Sequence, residues 1–320
     1  MTIRVGLVGL GSMGKNHLRV IQENPAAELW AICDSDVISL RGISNKVKAT
    51  SFSDPFDMIS RSGVDALVVA TPTEYHYPIV LEALKKGIPV LVEKPIATTY
   101  TMAQEIAKLS AIVEVPVQVG HVERYNPAVL HLAKLLAEGM LTDVYSITSI
   151  RSGPLPERVK DVGVTLDLGT HDVDIISWIA GERPSRVYAE TTQKIHASHE
   201  DLAFGLLKFP SGKVGMVDVN WLTPVKRRSL RVVGRQGMFE LDYLTQQLTF
   251  TSMPLGIEMP LVSDLTRKPE EPLAAQFSEF LEVVKGPIRP RVNAEDGAWA
   301  VRIAEALVQA AKTGVSVKLV

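Results

Sequence analysis

The chain predicts a doubly wound α/β domain with a parallel sheet, followed by an α+β domain with a large, mainly antiparallel, open-faced sheet. Three observations carry this. Apolar strand-like runs alternate with helical patterns over residues 1–120. The first run enters a glycine-rich turn, Gly9-Leu10-Gly11-Ser12-Met13-Gly14. Beyond His121 the texture changes to closely spaced apolar runs joined by tight turns. A length of 320 residues exceeds what one core usually holds, so two domains are expected, 1–120 and 121–320.

The elements follow in order. Residues 3–9 form an apolar strand and 14–24 a helix, with Leu18 and Ile21 apolar and Lys15 and Arg19 polar. A second strand spans 28–34. The run 64–70 is almost continuously apolar, as expected of a strand buried on both faces. A helix over 77–86 ends at Gly87. Strand 89–93, helix 101–110 and strand 116–120 complete the first domain. In the second, a helix over 128–138 precedes strands at 144–151, 186–195, 202–209, 213–221, 229–233, 238–243 and 247–251. Turns such as Pro210-Ser211-Gly212-Lys213 join several of them. The proline-rich stretch 254–272 lacks periodicity and reads as a loop or an oligomer arm. Helices over 273–285 and 294–312 close the chain.

Composition narrows the function class. Hydrophobic residues are 46%, charged residues 22% and the net charge −2, so neither nucleic acid nor an anionic membrane is expected as a partner. Cys33 is the single cysteine, which excludes an intrachain disulfide and a cysteine-rich metal site. No cleavable leader is evident and no apolar run is long enough to span a bilayer, so a cytoplasmic location is expected.

The glycine-rich turn follows a strand, opens a helix and has Asp34 twenty residues beyond Gly14 at a strand end. That context marks a Rossmann dinucleotide site. Gly9 and Gly11 permit a tight turn and close backbone approach to a pyrophosphate. Ser12, Met13 and Gly14 begin the helix whose N-terminal amides favour the anion. Asp34 can accept from the ribose hydroxyls, and with Asp36 it disfavours a 2′-phosphate, so NAD is expected rather than NADP.

Chemistry is expected in Asp167-Leu168-Gly169-Thr170-His171-Asp172-Val173-Asp174. Asp167, His171 and Asp174 stand four and three residues apart, which puts them on one face of a helix. A carboxylate one turn from an imidazole can orient it and tune its proton affinity. Glu93-Lys94-Pro95 ends a parallel strand, where ligands of open α/β sheets bind. Lys94 there could hold a substrate oxygen and stabilise its negative charge. Thr71-Pro72-Thr73 ends the neighbouring strand, so Thr71, Pro72 and His76 join Glu93 and Lys94 as candidate cofactor contacts. Asp174 reads equally well as a structural carboxylate.

These motifs, in this order and spacing, resemble the Gfo/Idh/MocA family of NAD(P)-dependent sugar and cyclitol oxidoreductases. The resemblance covers essentially the whole chain. It implies that Lys94 binds the reacting oxygen, that His171 exchanges the proton, and that Asp167 assists it or binds a neighbouring hydroxyl. It also implies an open sheet used for self-association, so a homodimer or homotetramer is expected. No metal is expected. The wording of 120–127, Gly-His-Val-Glu-Arg-Tyr-Asn-Pro, and of Arg151-Ser152-Gly153-Pro154 resembles a branch acting on nucleotide sugars, notably the UDP-N-acetylglucosamine 3-dehydrogenases. Arg124, Arg151, Arg158 and Lys160 would then meet a diphosphate, with Asn126 beside them. The leading expectation is NAD-dependent oxidation of a secondary hydroxyl, the 3-hydroxyl of UDP-N-acetylglucosamine. The alternative is a free sugar or inositol, and a more distant one a non-catalytic regulator.

Overall fold

Strand β1 (Ile3–Val8) sits at the centre of a six-stranded parallel sheet with β2 (Ala27–Cys33), β3 (Thr50–Phe52), β4 (Ala66–Val69), β5 (Val90–Val92) and β6 (Val117–Val119). Their order is β3-β2-β1-β4-β5-β6, the arrangement whose reversal point at β1/β4 receives dinucleotides. The computed structural model describes residues 2–155, 162–252 and 259–319. Every side chain of β4 is buried, as its continuous apolar run requires. The connecting helices are α1 (Ser12–Glu23), α2 (Val37–Ser44), α3 (Pro55–Arg61), α4 (His76–Lys85) and α5 (Tyr100–Val113).

Sequence periodicity does not reveal α2, β3 or α3. They are short, and α2 exposes Val37 and Ile38 to solvent, which blurs its apolar pattern. Their starts are nevertheless encoded: Asp36 accepts from Ile38 N at 2.9 Å, and Asp54 from Phe56 N at 2.8 Å ahead of Pro55.

The chain divides into two compact units. One comprises Met1–Val122 with Leu273–Val301, the other Glu123–Pro272 with Arg302–Val320. The return to the first unit is made by α8 (Pro272–Lys285). Its Leu273, Phe277, Phe280 and Leu281 recur at helical spacing and join Val5, Leu7, Leu10, Val20 and Leu91 in one core cluster. Sequence shows that stripe but not which sheet it covers.

The second unit holds α6 (Pro127–Ala137), β7 (Ser146–Pro154), α7 (Thr170–Ala180), β8 (Arg186–Thr192), β9 (Leu202–Lys208), β10 (Val214–Asn220), β11 (Leu222–Gly234), β12 (Gly237–Asp242), β13 (Gln247–Ser252) and β14 (Leu261–Asp264). After α9 (Ala294–Thr313), β15 (Val317–Lys318) completes a nine-stranded sheet ordered β14-β13-β12-β11-β7-β10-β9-β8-β15. All its pairs are antiparallel except β7 with β10. Strand β14 lies within the stretch expected to be a loop. Phe204, Leu206, Val214 and Met216 stand exposed on β9 and β10. No helix among the described residues is long and apolar enough to cross a membrane.

Candidate active site

The glycine-rich turn is shaped by close backbone approach. Gly9 has φ +92°, and a Cβ there would lie 2.6 Å from the Ala70 carbonyl. A Cβ on Gly14 would lie 1.9 Å from Gly9 O, so the helix packs directly on the turn. A Cβ on Gly11 would meet nothing within 4 Å. Gly11 therefore owes its identity to something other than packing, which fits a phosphate approaching the backbone. Ser12 and Met13 open α1, and their amides precede the first helical hydrogen bond, Lys15 N to Gly11 O at 3.0 Å. Asp34 closes the arrangement: Oδ2 accepts from Leu10 N at 2.7 Å and Oδ1 from Asp36 N at 2.8 Å. Each oxygen keeps a further lone pair for a ribose hydroxyl. These residues fit a dinucleotide.

Glu93 and Lys94 leave β5 on the same edge of that sheet. The Glu93 carboxylate is buried; it accepts from His17 Nε2 at 2.7 Å and from Lys94 N at 3.3 Å. Gly120 at the end of β6 permits this, since its Cβ would lie 2.8 Å from Glu93 Oε2. Glu93 thus braces the start of the Lys94 turn. The Lys94–Pro95 bond is cis. His76 is enclosed by two turns. Its Nδ1 lies 2.8 Å from Pro95 O and its Nε2 2.9 Å from Thr71 O, with the ring 1% exposed. Both nitrogens face backbone carbonyls, and the neutral ring, with one N–H, can donate to one of them while packing the turn after β4 against the turn after β5. Burial pushes its pKa below the ordinary value.

In the second unit the segment carrying Asp167 is not regular α-helix. Thr165–Gly169 is a π-helical turn that passes into α7 at Thr170. Thr170 Oγ1 donates to Leu166 O at 2.9 Å, a side-chain bond that competes with the regular ladder. Wide turns of this kind are frequent at functional sites. Asp167 is 4% exposed, and His171 is half-buried one turn on.

Asp174 takes the structural role left open for it. Arg124 Nε and Nη2 donate to its two oxygens at 2.8 and 2.6 Å, with the guanidinium 5.6 Å from the Trp178 ring centroid. Arg151 donates from Nε to Asp172 at 3.0 Å and from Nη1 to Glu123 at 3.1 Å, and lies over the Tyr243 ring. Burial opposes the Arg151 charge, but Asp172 and Glu123 outweigh it and hold the guanidinium above its ordinary pKa. Arg124 is thus a buried partner of Asp174. The charge of Arg151 is likewise already matched. Asn126 is held by internal bonds: Oδ1 caps α6 at Ala128 N (3.1 Å), while Nδ2 donates to Glu123 and to Tyr243 O. Lys160, with Arg158 and Asp161, lies outside the described residues. His17, Glu123, Asp172 and Tyr243 had no sequence signal beyond their residue type, because each gains its meaning from a partner distant in the chain.

The sequence of this chain matches two family models. Residues 3–121 match the oxidoreductase family with an NAD-binding Rossmann fold, and residues 129–240 match the GFO/IDH/MocA C-terminal domain. Over 252 residues the chain is 30% identical to inositol 2-dehydrogenase of Rubrobacter xylanophilus, covering 76% of this chain and 72% of that protein. The chain belongs to the Gfo/Idh/MocA oxidoreductase family. This Gfo/Idh/MocA protein also shares its fold with UDP-N-acetylglucosamine 3-dehydrogenase GnnA from Acidithiobacillus ferrooxidans (TM-score 0.88, 20% identity, 98% of each chain). It does so equally with the WlbA dehydrogenase from Bordetella pertussis, solved with NADH and UDP-GlcNAcA (TM-score 0.86, 24% identity, 100% of this chain and 99% of that one). Its first domain is an NAD-binding Rossmann domain, and the protein is an NAD-dependent oxidoreductase of CH–OH groups in sugars or polyols.

Proposed function

We propose that this protein oxidises the 3-hydroxyl of UDP-N-acetylglucosamine to the ketone. When bound, NAD supplies the hydride acceptor. Lys94 holds the reacting oxygen and favours its developing negative charge. His171 takes the hydroxyl proton, and Asp167 orients the imidazole or binds the neighbouring hydroxyl. Gly9, Gly11, Ser12, Met13, Gly14 and Asp34 hold the dinucleotide, with Thr71 and Pro72 beside the turn from β4. Asp34 disfavours a 2′-phosphate, so NAD is preferred over NADP.

The observation that carries the nucleotide-sugar assignment is the basic end of the β7–β11 pair. Gly153 has no side chain, and a Cβ there would lie 3.1 Å from Lys226 Cγ, so the lysine stem lies across the end of β7, two positions beyond Arg151 in sequence. A second reading, oxidation of inositol or a free sugar, is favoured by the 30% identity to an inositol 2-dehydrogenase. The exposed apolar residues of β9 and β10 support self-association, with a homodimer or homotetramer expected on light scattering.

Absorbance of NADH separates the two substrates. The protein is mixed with NAD and either UDP-N-acetylglucosamine or myo-inositol, with 2-oxoglutarate in parallel samples to reoxidise retained cofactor. Turnover of the nucleotide sugar supports the assignment, and turnover of myo-inositol alone replaces it with the second reading. His171→Gln should lower kcat about a hundredfold or more while NAD affinity stays unchanged.

A further inference from the structure

Arg151 and Arg228 stand directly opposite one another in the antiparallel register of β7 and β11. Opposed residues of such a pair project from the same side of the sheet, with Cβ atoms about 5 Å apart, and like charges there repel. Arg151 is compensated by Asp172 and Glu123. Arg228 is not. Among the described residues its guanidinium forms no ion pair or hydrogen bond, and Glu123, Asp172 and Asp167 act on it only through space. Burial, and then the charge of Arg151, push its pKa below the ordinary value. A half-buried, unmatched guanidinium beside a second one is unfavourable in isolation.

A second observation points the same way. Arg151 is 2% exposed, and its Nη2 is buried without a hydrogen-bond partner. The fork of Arg151 therefore retains an unused donor on the side of the sheet where Arg228 projects. Gly153, two residues on, shares that side, and the stem of Lys226 crosses it. Three cationic side chains are thus gathered at one strand end, two of them with donors that the protein itself leaves unused. An oxyanion supplies what each lacks, since a guanidinium fork pairs well with phosphate or carboxylate oxygens.

We propose that Arg228, together with Nη2 of Arg151, binds an anionic group carried by the substrate, a phosphate or a carboxylate. The inference deepens the nucleotide-sugar reading and rests on it for the phosphate source. The carboxylate of a sugar acid offers the same chemistry without a nucleotide. A neutral polyol has no group for this position.

The test is isothermal titration of the NADH-saturated protein with UDP, inorganic pyrophosphate and glucuronate, for wild type, Arg228→Met and Arg228→Lys. One of these anions should bind wild type and bind Arg228→Met about tenfold to a hundredfold more weakly, with Arg228→Lys in between. The melting temperature of ligand-free Arg228→Met should be unchanged or higher, because a charge opposing Arg151 has been removed. A lower melting temperature together with unchanged anion affinity makes Arg228 structural and overturns the proposal. Equal UDP affinity in wild type and Arg228→Met also overturns it, while leaving the nucleotide-sugar reading intact. Glucuronate binding that is lost in Arg228→Met, with UDP inert, supports the anion site and removes the nucleotide. No binding of any of the three to wild type overturns the proposal.

Discussion

His17 Nε2 lies 2.7 Å from Glu93 Oε1, joining the helix that follows the glycine-rich turn to the residue preceding Lys94. Both side chains are almost wholly removed from solvent. Burial pushes the Glu93 carboxyl up, but the hydrogen bond and charge of His17, with Lys94 and His76 behind it, outweigh this and hold the carboxyl below its ordinary value. The dinucleotide helix and the lysine turn are thereby coupled through one carboxylate.

His17→Leu leaves that carboxylate buried without its imidazole, and should lower unfolding free energy by about 3 kcal/mol in urea denaturation. The pH dependence has a defined sign. A depressed carboxyl contributes stability above its unfolded value of 4.5, and this is lost as the pH falls through the lower folded value. Glu93→Gln should therefore flatten the loss of stability below about pH 4.5, measured as urea midpoints from pH 3 to 7. A wild-type slope retained in Glu93→Gln would assign the acid sensitivity to another group.

Two glycines of the dinucleotide turn should separate by phenotype. Gly14→Ala forces a Cβ into the Gly9 carbonyl and should lower both melting temperature and NAD affinity. Gly11→Ala meets no protein atom, so its melting temperature should match wild type while NAD affinity falls. Fluorescence titration with NADH beside thermal melting reads both. Normal affinity in Gly11→Ala would place the pyrophosphate elsewhere.

Arg124 should behave as a stabilising group. Arg124→Met removes two charge-assisted hydrogen bonds from a buried Asp174 and should cost about 3 to 5 kcal/mol. Arg124→Met with Asp174→Leu should recover much of the loss, because no buried charge is then stranded. Such recovery, read as a double-mutant cycle, distinguishes an internal pair from a substrate contact.

Cys33 should be inert in the folded protein. It is buried beside Asp34, and burial, then that carboxylate, push its thiol up to about 12. Alkylation at pH 8 should proceed only after denaturation. Rapid modification of the native protein would show that β2 opens locally.

What was legible in the sequence was local. Strand, glycine turn, helix and Asp34 follow one another within a short stretch, and each constrains the next. The two sheets were readable for the same reason, since alternation and turn residues are short-range signals. Charge pairing was not. Arg124 meets Asp174 across fifty positions and Arg151 meets Asp172 across twenty-one, so residue type alone could not separate a matched arginine from an unmatched one. Arg228, on a strand, carries no sequence signal for the same reason. The π turn at Asp167 escaped because the offsets of four and three fit a regular helix equally well, and the difference lies in the hydrogen-bond ladder.

The docking of α8 onto the first unit bears on how the protein is made. A ribosome delivers β1 through β6 long before Leu273, Phe277, Phe280 and Leu281 exist, so during that interval the apolar surface around Leu10, Val20 and Leu91 lacks its cover. The nucleotide-binding unit, translated ahead of the second, cannot have its core sealed until strands β7 to β14 of the second have been made. Nascent chains halted before Leu273 should accordingly be held by chaperones or aggregate, whereas full-length chains should not.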